Sequence, residues 1–234
     1  MQNLIRKYKS FKSRYVVMQR REHEYIFNKY YAHLIDPFFT KIAYDLKLSP
    51  NMVTVLSGFL GVGSGISFMF HQYVLGGILL QLHHFVDGAD GNLARLTNRC
   101  TAFGAKLDRN VDLIVRITVL LGIMVAANAH LLTNVLLVLT FFLDIVVVHK
   151  FVLPFMKKNG IIRSKWKQWF LDRGIIPAFD TFTLYFIISV FAILNQMQIL
   201  IYVLIVLKNI DWLYRVWECT KTYYIVKNKN KIKQ

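Results

Sequence analysis

The chain has 234 residues, 55% of them hydrophobic and only 18% charged, and its mean hydropathy is +0.40. A soluble domain carries about a quarter charged residues, and the apolar surplus here is gathered into runs that one soluble core cannot absorb. Two cysteines, Cys100 and Cys219, exclude a Cys-based metal site and a disulfide scaffold. A net charge of +16 fits either a nucleic-acid binder or a membrane protein whose cations lie on one side.

Residues 1–15 are basic and lack an apolar core, so they do not read as a cleavable signal peptide. Through residue 48 the basic residues are mixed with Tyr15, Tyr25, Phe27, Tyr30, Tyr31, Phe38 and Phe39. This mixture suits an amphipathic helix lying in the lipid headgroup layer, a solvated basic arm being the alternative. Asp36-Pro37 reads as a helix restart inside this segment.

Six apolar runs follow, at 52–70, 73–93, 111–127, 131–153, 176–194 and 197–217. Six spans of about 20 residues use about 120 apolar positions, so the expected fold is an all-α integral membrane protein with six transmembrane helices and an N-terminal interfacial helix. Ser49-Pro50 supplies an N-cap and a proline at the first helical position. Gly58, Gly61 and Gly65 line one face of the first span, where a second helix can come close. The division expected is 1–48 juxtamembrane segment, 49–217 six-helix domain and 218–234 basic tail, frayed after Tyr224.

Of the 29 Lys and Arg, ten precede the first span, four lie between spans two and three, seven run over 150–173 and seven over 208–233. The alternate connections, around 71–73, 128–130 and 195–198, contain none. By the positive-inside rule both termini and the two long loops are cytoplasmic. The cations are thereby accounted for by the bilayer, and no nucleic-acid partner is expected.

Four of the thirteen acidic residues crowd into 26 positions, at Asp87, Asp90, Asp108 and Asp112. Asp87 and Asp90 are spaced i, i+3, while Gly104, Asp108 and Asp112 are spaced i, i+4, i+8, so each set shares one helix face. A short cytoplasmic turn brings the two faces together. Packed carboxylates lose hydration and repel one another at a cost of several kcal/mol per ion. Pairing with Arg95, Arg99, Lys106 and Arg109 is one compensation. Divalent cations are the other, held by oxygen ligands alone, which favours Mg²⁺ or Mn²⁺ over Zn²⁺. Four carboxylates suffice for two ions at the separation of a two-metal phosphoryl-transfer site.

The run D-x-x-D-G-x-x-A-R-x8-G-x-x-x-D-x-x-x-D, from Asp87 to Asp112, resembles the hallmark of the CDP-alcohol phosphotransferase (CDP-alcohol phosphatidyltransferase) family. Ser49-Pro50-Asn51 with Thr54 resembles the start of that family's first span, and the likeness covers most of 37–217. The resemblance implies transfer of a phospho-alcohol unit from a CDP-alcohol to a hydroxyl acceptor with release of CMP, on two divalent cations, in a protein usually dimeric. It implies metal ligation by Asp87, Asp90 and Asp108. Asp112 becomes both a ligand and the general base. Gly91, Arg95 and Thr101 hold the cytidine diphosphate, with Pro50, Asn51, Met52 and Val53 lining the nucleotide pocket.

For the acceptor, Arg116, Lys150 and Arg215 are available to bind a phosphate, or else snorkel to headgroups. Lys208 and Asp211, at i, i+3, can pair. His83, four residues before Asp87, supports the ligands or simply packs. Two other activities use acidic clusters in membranes. An intramembrane prenyltransferase has two separated Asp-rich motifs, and a cation transporter holds its ions near the midplane.

Overall fold

A computed structural model describes residues 2–16 and 23–232 of the chain. Helix α1, Gln2–Tyr15, precedes a two-residue strand β1, Glu24–Tyr25, and a π-helical turn, Asn28–Ala32. Then come α2, His33–Asp45, α3, Pro50–Met69, α4, Tyr73–Leu96, and α5, Ala102–Ala127. Helix α6, Leu131–Val147, runs through a second π-helical turn, Val148–Val152, into α7, Leu153–Lys158. The rest is α8, Lys165–Leu171, β2, Ile175–Ile176, α9, Thr181–Ile193, and α10, Met197–Ile232.

The fold is all-α apart from β1 and β2. Each of the six apolar runs contains a helix. Among the described residues three stretches, Pro50–Met69, Ala102–Ala127 and Leu131–Lys158, are long and apolar enough to cross a membrane by length and composition.

Local chemistry sets the ends. Ser49 Oγ accepts the Met52 N–H at 3.3 Å and Pro50 occupies the first turn. Thr101 Oγ1 accepts the Gly104 N–H at 3.0 Å and opens α5 nine residues before the apolar run begins. Asp108 and Asp112 therefore ride on the same rigid rod as the span. His71, Asn98 and Asn195 each take a positive φ just past a helix end, and the next N–H closes back onto the last helical turn. This left-handed cap reverses the chain within a few residues, so α3, α4 and α5 run antiparallel in succession.

The antiparallel hairpins put chemistry at one end and packing at the other. Phe68, Leu80, Val115, Val119, Ile123, Leu137, Ile188, Leu200 and Leu204, from α3, α4, α5, α6, α9 and α10, form the main core. The start of α3, the end of α4 and the start of α5 lie together at the opposite end. Contact between α3 and α5 is backbone-close because of glycine. A Cβ on Gly61 would meet the Val115 methyls at 2.5–2.6 Å, and one on Gly65 the Thr118 carbonyl carbon at 2.6 Å.

Several expectations are corrected. The fifth helix does not start at 176, because Ile175–Ile176 pairs in parallel with Glu24–Tyr25. Pro177 disfavours helix in the residue before it, and α9 waits for Asp180, which caps it by accepting the Thr183 N–H at 3.1 Å. At 13 residues it is about 20 Å long. Helix α2 does not restart at Asp36-Pro37, and Pro37 lies inside it. The last helix does not fray after Tyr224 but continues to Ile232. Its extension is anchored by Glu218, 1% exposed, which accepts from Arg163 at 2.9 Å and Lys167 at 2.6 Å. Thr222 adds a bond from the Ile162 N–H. Burial pushes the pKa of Lys167 down from its usual value, although Glu218 pulls the other way.

The N-terminal segment is tied to the body. Lys29 Nζ donates to the Arg173 and Gly174 carbonyls, and the Phe27 and Phe186 rings lie 4.7 Å apart. Tyr8 donates to the Leu34 carbonyl at 2.8 Å, and Phe11 packs on Phe38. Arg20 and Arg21, counted among the basic residues of this arm, lie outside the described residues, as does Lys233.

Gly65→Ala should cost about 1–3 kcal/mol through overpacking, because the Thr118 backbone in its way cannot rotate aside. A lowered thermal midpoint in detergent micelles is the expected outcome, and an unchanged midpoint would refute the close approach.

Candidate active site

Asp87 and Asp90 sit near the end of α4, Asp108 and Asp112 in the first turns of α5, and the turn over 97–101 folds one helix onto the other. Carboxylate oxygens of Asp87, Asp90 and Asp108 all lie within 4.8 Å of one another. A ligand atom from each of His83, Asp87 and Asp112 forms a second such group. Opposite ligands of one Mg²⁺ are about 4.2 Å apart, so a shift of a few tenths of an ångström would bring each group within one coordination sphere, and Asp87 belongs to both. Oxygen donors of this kind suit hard divalent cations.

Neighbours from α3 hold these carboxylates in place. The Thr54 hydroxyl donates to Asp90 Oδ2, and Ser57 Oγ reaches Asp87 Oδ1 at 3.4 Å. Behind Gly88 sits the buried Asp36, its Oδ1 3.1 Å from where a Cβ would stand. Asp36 accepts from His33 Nδ1 at 3.1 Å, and His33 Nε2 faces Glu24 at 3.3 Å. Among the described residues, Arg99, Lys106 and Arg109 make no ion pair with the four carboxylates. Arg95 donates to Asn92 Oδ1 at 3.0 Å.

The sequence reading expected oxygen ligands alone, and the structure adds a nitrogen within reach of the second group. His83, one turn before Asp87 on the same face of α4, stands within the second group. Sequence carried the signal in that i, i+4 spacing, but spacing alone does not say which way the ring leans.

A groove of 180 Å³ opens beside the first group. Pro50, Asn51, Gly91, Arg95 and Thr101 line it, with Thr54, Asp90, Ala94, Arg99, Cys100, Gly104, Ala105 and Asp108. Met52 and Val53 do not. Successive helical residues turn by about 100°, so Asn51 and Thr54 face the groove. Val53 turns into a small apolar cluster with Ala43, Ala89 and Leu93, while Met52 is exposed. Gly91 and Gly104 leave the floor open. A Cβ at Gly91 would stand 3.4 Å from the Arg95 guanidinium, and one at Gly104 3.0 Å from Asn51 Oδ1.

A second cavity, of 440 Å³, lies between α5, α6, α9 and α10. Arg116 and Arg215 line it together with Lys208, Asp144, His149, Asp180, Tyr185 and Tyr25. Lys150 is exposed and does not. None of the three cations in the wall is free. Arg116 pairs with Asp112 at 2.8 Å, Lys208 with Asp144 at 2.7 Å and Arg215 with Asp211 at 2.7 Å. Lys208 thus pairs across helices, not with Asp211 as its spacing suggested. An unpaired charge in a membrane interior is expensive, which accounts for this pairing. The Asp112–Arg116 pair connects the group of His83, Asp87 and Asp112 to this cavity.

A model of the CDP-alcohol phosphatidyltransferase family matches residues 47–213. The chain belongs to that family. Membership makes it an enzyme of the CDP-alcohol phosphotransferase class and sets the prenyltransferase and transporter alternatives aside. It is 25% identical over 177 residues to the archaetidylinositol phosphate synthase of Pyrococcus horikoshii, covering 76% of this chain and 86% of that protein. It is 47% identical over 66 residues to a bifunctional IPC transferase and DIPP synthase of Aquifex aeolicus, where the match covers 28% of this chain and 15% of the relative. Against a CDP-diacylglycerol–serine O-phosphatidyltransferase of Helicobacter pylori the figures are 39% over 69 residues, 30% of this chain and 29% of the relative. Several of these matches thus span only a minor part of the relative's length.

Thr54→Val removes the donor to the buried Asp90 carboxylate and should destabilise the fold by about 1–3 kcal/mol. A thermal midpoint equal to that of the native chain would remove Thr54 from the support of the site.

Proposed function

We propose that the protein transfers a phospho-alcohol group from a CDP-alcohol to a hydroxyl acceptor, releasing CMP, with Mg²⁺ or Mn²⁺ at the Asp cluster. The observation that carries this reading is the sharing of Asp87 between two ligand groups beside a groove floored by Gly91 and Gly104. Bound divalent cations would activate the diphosphate toward attack and stabilise the departing phosphate.

The chain's own residues supply the rest. Asp87, Asp90 and Asp108 would hold one ion, and Asp87 and Asp112 would hold the other. Arg95 and Thr101 take the cytidine diphosphate in the small groove, with Pro50, Asn51 and Gly91 shaping it, and the guanidinium offers a planar pair of donors to phosphate. The acceptor enters from the larger cavity. Asp112, oriented through Oδ2 by Arg116, receives the acceptor's hydroxyl proton while the acceptor oxygen bonds to phosphorus and the bond to CMP breaks. Arg116 and Arg215 remain the candidates for an acceptor phosphate, together with Lys208. Lys150 is not carried forward, because it lies outside the cavity.

In the same reading, six helices cross the cytoplasmic membrane, with 49–217 as the catalytic domain, and both termini and the site face the cytoplasm. The one-sided distribution of Lys and Arg supports that orientation. Helix α1 lies in the headgroup layer, and assembly as a homodimer is part of the proposal on the family resemblance. The family's chemistry and the names of the relatives support phospholipid headgroup synthesis as the setting.

Asp112→Asn should abolish CMP release in liposomes supplied with CDP-alcohol and acceptor pairs, while thermal unfolding still reports a folded protein. EDTA should abolish release in the native enzyme and Mg²⁺ or Mn²⁺ should restore it. Undiminished turnover by Asp112→Asn would overturn the base assignment, and full activity in chelator would overturn the metal dependence.

A further inference from the structure

We propose that His83 is a nitrogen ligand to one of the two cations, so that the two positions differ in donor chemistry. The inference rests on the proposed metal dependence and deepens it. Asp87, Asp90 and Asp108 make an oxygen-only group, whereas Asp87 and Asp112 share theirs with an imidazole.

Three observations converge on that ring. His83 is 1% exposed, so its polar atoms have no bulk water to turn to. Its Nδ1 lies 2.9 Å from the Ser57 carbonyl oxygen, and a carbonyl only accepts, so Nδ1 carries the proton. In the neutral ring Nε2 is then left with its lone pair, and no hydrogen bond to Nε2 is present among the described residues. Metal-bound histidines have this arrangement, with the second nitrogen donating to a carbonyl that fixes tautomer and ring plane. One nitrogen of this ring lies within 4.8 Å of a carboxylate oxygen of each of Asp87 and Asp112, and a cation among the three would use the lone pair the chain leaves idle.

The surroundings hold the ring for that task. The Tyr185 ring packs edge-on against it at 5.6 Å. Gly61 leaves room for it, since a Cβ there would come within 3.1 Å of His83 Cγ. Its neighbour His84 packs instead on Phe182, 4.5 Å away, and belongs to neither group. A mixed nitrogen and oxygen set is unusual for Mg²⁺ and favours a first-row transition ion such as Mn²⁺. Asp112, the proposed base, then shares its ion with a neutral ligand.

The test uses Mn²⁺ bound to the full-length chain in detergent micelles, read by electron spin-echo envelope modulation. Nitrogen-14 modulation is expected from the native protein, and ¹⁵N-histidine labelling should replace it with the nitrogen-15 pattern without altering any residue. His83→Gln should remove the modulation and weaken Mn²⁺ binding about tenfold, whereas His84→Gln should keep the signal. Bound Mn²⁺ without nitrogen modulation, or modulation that survives His83→Gln, would overturn the ligand assignment and leave the metal-dependent reading standing. Failure of the native chain to bind Mn²⁺ or Mg²⁺ at all would overturn that reading itself.

Discussion

Mutual repulsion among Asp87, Asp90, Asp108 and Asp112, held at the end of a helical bundle with little water to screen them, is the constraint around which the rest is arranged. Carboxylates so close in a low-dielectric setting are tolerable only with compensating positive charge. Asp112 has such a partner in Arg116, at 2.8 Å. Hydroxyls of Thr54 and Ser57 reach Asp90 and Asp87, and a hydroxyl orients a carboxylate without neutralising it. The arrangement invites cations from outside the chain.

Everything that fixes the helices serves to keep those side chains converged. The glycine face of α3 draws α5 close, and left-handed residues at the helix ends keep the connections short. The main core reaches from the far end of the bundle up to His83 through Val115 and Tyr185, so packing strength there holds the site without filling it. The second cavity adds a different pattern, in which every wall cation already has a carboxylate partner. An anionic acceptor entering it would have to loosen one of these pairs, and that exchange is a natural source of selectivity.

Much of the site was legible because its spacing is local. Asp87 and Asp90, or Asp108 and Asp112, share a face on any helix, and Ser49-Pro50 caps a helix wherever it stands. Asn51 lines the groove whereas Met52 and Val53 do not, since a run of four consecutive residues cannot all face one way on a helix. The fifth helix was misjudged for a related reason. Ile175 and Ile176 are apolar enough for a span, yet Pro177 and the pairing with Glu24 and Tyr25 withdraw them from it. The tail beyond Tyr224 looked too polar to hold a helix, and its anchoring by Glu218 depends on Arg163 and Lys167 from a separate loop.

By itself the sequence determined where the apolar runs lie, their capping signals, the absence of Lys and Arg from alternate connections and the family motif, all of which rest on short-range periodicity and side-chain chemistry. Only the tertiary structure decided that Lys208 pairs with Asp144, that Arg116 bridges the Asp cluster and the larger cavity, and that His83 leans into the carboxylates. Those outcomes depend on how helices distant in sequence are rotated about their axes. That rotation is set by the packing of all the side chains at once, and no spacing along the chain encodes it.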